Sequence, residues 1–97
     1  MSTTLFGTVT RPTGEPAHTA TVELHNSSGD ILDQIVCDSA GRFRYHLSPG
    51  AWQLFVWDPA GNRAQVSVEL QKDEETAIRI DLAQGGEAVR AAGGQTN

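Results

Sequence analysis

Along most of this chain apolar residues fall at every second position. Residues 19–25 alternate Ala20, Val22 and Leu24 against Thr21, Glu23 and His25. That is the mark of a strand with one face buried and the other wet. The same period predicts a first strand over 4–10 with Leu5, Gly7 and Val9 inward. A fourth strand carries Phe43, Tyr45 and Leu47 inward, a fifth Trp52, Leu54 and Val56, and a sixth Ala64, Val66, Val68 and Leu70. A seventh, over 76–82, presents Ile78, Ile80 and Leu82. The third, over 31–37, alternates less cleanly: Ile31, Ile35 and Cys37 share one parity, Leu32 and Val36 the other. It is expected to be covered on both faces, in preference to holding a bulge that shifts its phase.

Turn chemistry separates these segments. Asp38-Ser39-Ala40-Gly41 supplies a carboxylate that can accept backbone N–H bonds and a glycine for a left-handed exit. Ser48-Pro49-Gly50 has proline and glycine where a type II turn wants them, and Asp58-Pro59-Ala60-Gly61 fits a type I turn. Short strands with turn signals about every 8–12 residues predict a seven-stranded antiparallel β-sandwich.

Composition sharpens this. A chain of 97 residues is one domain and buries roughly 60–65% of its unfolded surface, enough for one core with little room for a deep cleft. The net charge of −5 argues against nucleic acid or an anionic membrane as the main partner. Arg42 and Arg44 share a strand face and read as a solvated pair. Cys37 is the only cysteine, so no internal disulfide forms. There is no apolar run long enough for a membrane helix and no basic-then-apolar start, so a reducing, cytoplasmic setting is expected. Asn26-Ser27-Ser28 reads as a turn rather than a glycosylation site. The sandwich is expected over residues 1–83. Residues 84–97, with four glycines and no alternation, are expected to form a disordered tail.

Gly7-x-Val9, Gly14-x-Pro16, Ala20-x-Val22-x-Leu24, Asp38-x-x-Gly41-x-Phe43 and Pro49-Gly50-x-Trp52-x-Leu54 together resemble the carboxypeptidase regulatory-like domain. The resemblance runs from Leu5 to Leu82 and implies a transthyretin-like (prealbumin-type) Greek-key sandwich. Its residues are turn formers and core positions, so it speaks for fold and hardly for function. Within that group, Pro49-Gly50-Ala51-Trp52-Gln53-Leu54 and Ala60-Gly61-Asn62 resemble the small actinobacterial SseC-type proteins of unknown function. That likeness implies an accessory role beside a thiosulfate sulfurtransferase. The chain departs from the SseC pattern in having no cysteine near Met1.

No catalytic, cofactor or metal site is expected. A hydroxyisourate hydrolase of the transthyretin type would end in Tyr-Arg-Gly-Ser, whereas the last strand here ends Ile80-Asp81-Leu82-Ala83. A Lys–Asn cross-link of the collagen-adhesin type needs an early lysine, and the only lysine is Lys72. His18, His25 and His46 lack the spacing of a metal motif, and Asp30, Asp33 and Asp38 lack that of a calcium loop. Cys37, beside Asp38 and on the inward parity, reads as core rather than as a nucleophile.

The unusual feature is apolar residues on outward positions. Phe55 and Trp57 alternate with the core residues of the fifth strand, and Leu32 and Val36 share that parity on the third, as does Phe6 on the first. Either a loop or the C-terminal tail covers these residues, or they form an exposed apolar patch, which marks an interaction surface. The expected role is therefore a non-catalytic module that docks a protein partner (a sulfurtransferase is the one the resemblance implies) or a second copy of itself. The alternative is a carbohydrate- or small-ligand-binding module that uses Phe55 and Trp57 as stacking surface.

Overall fold

The computed structural model describes residues 3–82, and the tail expected over 84–97 lies outside them. Seven strands account for the described secondary structure: β1 (Thr4–Thr10), β2 (Thr21–His25), β3 (Ile31–Val36), β4 (Arg42–His46), β5 (Gly50–Trp57), β6 (Arg63–Leu70) and β7 (Glu75–Asp81). They form two sheets, ordered β4-β1-β7 and β3-β2-β5-β6. The hairpins β2–β3 and β5–β6 stay within the four-stranded sheet, and every other connection crosses between sheets. One pair departs from the antiparallel expectation: β1 and β7 run parallel, from Thr4 opposite Glu75 to Thr10 opposite Asp81. The chain reaches β7 from β6 in the other sheet, so a tight hairpin to β1 is not required of it.

The inward residues of both sheets meet in one core. Leu5, Val9, Val22, Leu54, Val56, Leu70 and Ile80 are all but fully buried. Leu47, Trp52 and Val68 are partly buried against it. Gly7 faces Phe43 across the β1–β4 pair, and a Cβ there would sit inside the Phe43 ring. The glycine is the space into which that ring packs.

Three loops share one hydrogen-bond pattern. In Asn26–Asp30, Asp38–Arg42 and Asp58–Asn62 the first residue's N–H bonds the fifth carbonyl, and the fourth residue, a glycine, donates back to the first carbonyl. The first side chain then accepts two backbone N–H bonds, at 2.8–3.0 Å. This is a type I turn closed by a left-handed residue, with φ of 88°, 75° and 90° at Gly29, Gly41 and Gly61. Arg11–Glu15 repeats the backbone part, with Gly14 at 93°. The Ser48-Pro49-Gly50 turn is fixed differently: Gly50 takes a positive φ of 132°, and the Trp52 indole N–H donates to the Ser48 carbonyl at 2.9 Å.

β3 corrects the expectation of a strand covered on both faces. Its register to β2 jumps from Leu24–Asp33 to His25–Ile31, so Leu32 is the extra residue of a bulge. The bulge breaks the period, turning Ile31 to the same side as His25 while Ile35 keeps the inward side opposite Val22. Ile31, Leu32 and Val36 are 60%, 52% and 64% exposed. The strand covers the core only through Ile35 and through Cys37 just beyond it.

Candidate functional site: the outer faces of the two sheets

The register puts the outward residues of the four-stranded sheet into rows. Val36, Thr21, Trp57 and Arg63 form one; Gln34, Glu23, Phe55 and Gln65 the next; Ile31, His25, Gln53 and Ser67 a third. Phe55 and Trp57 are both half-buried rather than fully exposed. The His25 ring lies against Phe55, with centroids 4.2 Å apart, and His25 Nε2 meets Glu23 Oε1 at 2.8 Å. A shallow depression of about 360 Å³ opens beside them, lined by Glu23, Phe55, Trp57, Arg63 and Gln65 among others.

Of the residues singled out in the sequence, Val36 and Trp57 share a row with Thr21 between them. They are separated by two strand spacings, about 10 Å. Phe55 lies in the adjoining row, and Leu32 stands apart at the bulge. The exposed apolar surface is therefore centred on the β3 edge, with Phe55 and Trp57 as its half-buried floor. Ile31 belongs to the same surface; only the bulge turns it outward, and the strict period of two had assigned it to the core.

The outer face of the three-stranded sheet has a different character. Its rows are His46, Thr4 and Glu75; Arg44, Phe6 and Ala77; Arg42, Thr8 and Arg79. The Arg44 guanidinium lies 5.5 Å from the centroid of the half-buried Phe6 ring. Thr10 and Asp81 close the face with a short side-chain hydrogen bond. Sequence reading found Arg42 and Arg44 together but not Arg79, which joins them only through the parallel β1–β7 pairing.

Two groups with chemical potential elsewhere, Cys37 and Tyr45, are buried. Cys37 is buried, and burial, aided by the neighbouring Asp38 carboxylate, pushes its thiol up to about 11. Tyr45 Oη is buried with no hydrogen-bond partner, and burial together with the nearby Asp33 carboxylate raises its pKa further. His18, His25 and His46 lie in a loop, on β2 and on β4, in different parts of the sandwich. Among the described residues no three or more His, Cys, Asp or Glu side chains cluster as metal ligands, and no helix is long and apolar enough to cross a membrane.

Two packed sheets in this order, with β1 central in the smaller one, define a transthyretin-like β-sandwich. The pattern of the carboxypeptidase regulatory-like domain matches residues 4–83, and the chain belongs to that family. It is 33% identical over 60 residues to uncharacterized proteins of Mycobacterium tuberculosis, covering 62% of this chain. The chain spans 60% of the length of those relatives. Among solved structures it is similar to the 5-hydroxyisourate hydrolase of Klebsiella pneumoniae, with a TM-score of 0.66 and 23% identity over 86% of this chain and 92% of that one. It also resembles catechol 1,2-dioxygenase from Pseudomonas arvilla, at a TM-score of 0.50 and 14% identity over 98% of this chain and 54% of the enzyme. At these identities the likeness is one of fold.

Proposed function

We propose that this chain is a non-catalytic interaction module that binds a protein partner along the β3 edge and the adjoining outer face of the four-stranded sheet. The observation that carries this reading is the exposure of Ile31, Leu32 and Val36 on a strand whose far side pairs with no other strand among the described residues. A partner segment added there as a fifth strand gains backbone hydrogen bonds and covers the exposed side chains. Phe55 and Trp57 extend that surface inward from the edge. A second copy of the chain could satisfy the same edge by pairing β3 with β3. The absence of catalysis is supported by the buried, poorly ionising Cys37 and by the separation of the histidines.

The likeness to SseC-type proteins makes a thiosulfate sulfurtransferase the first partner to test, in a cytoplasmic setting. The decisive variant is Leu32→Lys with Val36→Lys, compared with the wild type against a purified sulfurtransferase of the same host and against captured host proteins. Light scattering of the chain alone covers self-association. Binding by the double variant is expected to fall about tenfold or more, as for loss of apolar anchors at an interface. Unchanged binding and unchanged oligomeric state would contradict the proposal.

A second reading is favoured by one observation: the depression beside Trp57 combines an aromatic side chain with Glu23, Arg63 and Gln65, a mixture suited to sugar hydroxyls. The His25 ring already occupies Phe55, which leaves Trp57 as the stacking surface. A saturable change in tryptophan fluorescence on adding a sugar, lost in Trp57→Ser, would favour this reading.

A further inference from the structure

The outer face of the three-stranded sheet concentrates positive charge on an acidic protein. Arg42, Arg44 and Arg79 are three of the chain's seven basic residues, against twelve acidic ones. All three are exposed, and none has a carboxylate within ion-pair distance among the described residues. The Asp38 carboxylate feels the Arg42 charge, but its Oδ1 already accepts the backbone N–H groups of Ala40 and Arg42. Arg44 is held over Phe6, whose half-buried ring supplies an apolar floor between the arginines. A depression of about 400 Å³, lined by Phe6, Thr8, Asp38, Arg42 and Arg44 among others, lies on this face.

The spacing selects the ligand. Arg42 and Arg44 are two residues apart on β4, about 7 Å along the strand, and Arg42 and Arg79 flank Thr8, about 10 Å apart across two strand spacings. Three cations spread this widely match several carboxylates better than they match one phosphate. The face is also short. Glu75 stands opposite Thr4 at one end and Asp81 opposite Thr10 at the other. A long polyanion such as nucleic acid would run onto those carboxylates, whereas a short acidic segment ends before them.

We propose that this face docks a short acidic peptide segment of a partner protein, with Arg42, Arg44 and Arg79 pairing its carboxylates and Phe6 packing beneath. The surface is separate from the β3 edge, so it stands or falls independently of the function proposed above.

The test is a titration of the isotope-labelled full chain with a capped tetraglutamate peptide at low salt, followed by amide chemical shifts. The shifts are expected at Thr8, Arg42, Arg44 and Arg79, with β5 and β6 silent, and the affinity should fall steeply as salt is added. Each of Arg42→Gln, Arg44→Gln and Arg79→Gln should weaken binding about 2–4-fold, and the triple variant about tenfold or more, as expected for exposed charge pairs. The spectrum of each variant reports whether the fold is kept. If a variant fails to fold, the location of the wild-type shifts and their salt dependence decide the matter. Absent or scattered shifts would overturn the proposal, as would binding that is insensitive to salt. Displacement of the peptide by inorganic phosphate at equal concentration, or tighter binding of oligothymidylate than of the peptide, would overturn it as well.

Discussion

The two outer faces of this sandwich are built alike and end in opposite chemistry. Each has a half-buried phenylalanine at its centre with a nitrogen-bearing side chain laid against the ring: His25 on Phe55 in the larger sheet, Arg44 on Phe6 in the smaller. Around Phe55 the rows run out to Ile31 and Val36 on an open apolar edge. Around Phe6 they run out to Arg42 and Arg79. The difference arises from what pairs with each central strand. β2 is flanked by the bulged β3, whereas β1 is flanked by β4 and by the parallel β7, each bringing arginines to the same side. One core thus carries an exposed apolar edge on one side and a cationic face on the other.

Both faces rest on that one core, and the largest effects test this. Leu54→Ala removes a fully buried side chain beneath the larger sheet. Gly7→Val forces a side chain into the space of the Phe43 ring beneath the smaller one. Each should cost about 3 kcal/mol, lowering Tm by roughly 12–24 °C. The tryptophan signal of the larger sheet and the backbone circular dichroism should melt together in both variants. Separate transitions would divide the sandwich into two independent halves.

Next in size are the two aspartate turns, one at the end of each face. Asp58 is buried, and its carboxylate accepts both N–H groups of the turn as well as the side-chain amide of Asn62, at 2.8–3.0 Å. Asp58→Ala strands the buried Asn62 donors and should cost about 2 kcal/mol. Asp38 makes the same two backbone bonds in an exposed turn, so Asp38→Ala should cost less. Urea midpoints would order the two, and an equal loss would contradict the role given to burial.

Acid sharpens the same contrast. Burial opposes ionisation of Asp58, but the Asn62 side chain and the turn N–H groups outweigh it and hold the carboxyl below its ordinary 3.8. For Asp38 the Arg42 N–H, aided by the Ala40 N–H and the Arg42 charge, likewise outweighs desolvation. A carboxyl that ionises more readily folded than unfolded adds stability that is complete above its unfolded pKa and is lost as pH falls through the folded value. Stability measured from pH 6 downward should therefore decline below pH 3.8, and less steeply in Asp58→Asn. A variant with the wild-type acid profile would remove Asp58 from this account.

The smallest effect concerns the link between β3 and the smaller sheet. Tyr45→Phe deletes a buried hydroxyl that has no hydrogen-bond partner. Stability should hold or rise by up to about 1 kcal/mol. A loss of stability would instead mean that the hydroxyl bonds the Asp33 carboxylate, tying the β3 edge to β4.

Strands and turns were legible because their signals are local. A period of two assigned Leu5, Val22, Leu54, Val66 and Ile80 to the core, and the Asp-x-x-Gly offsets at Asp38 and Asp58 marked turns that bond in that manner. The same offset at Asn26 and Gly29 carries the same pattern. What escaped the sequence depends on pairing. The bulge at Leu32 is a property of the β2–β3 register, and it alone moved Ile31 from the core to the surface. Arg79 is 37 residues from Arg42 in the chain, and only the parallel pairing of β7 with β1 brings both beside Thr8.

The function proposed above puts the docked partner on the β3 edge. Hydrogen–deuterium exchange of the chain, alone and in complex with the protein it retains from its host or with its own second copy, tests this most directly. Slowed exchange is expected in Ile31–Val36 on binding, extending to the β5 amides around Phe55 and Trp57. Unchanged exchange in β3, with protection confined to other elements of the complex, would contradict it.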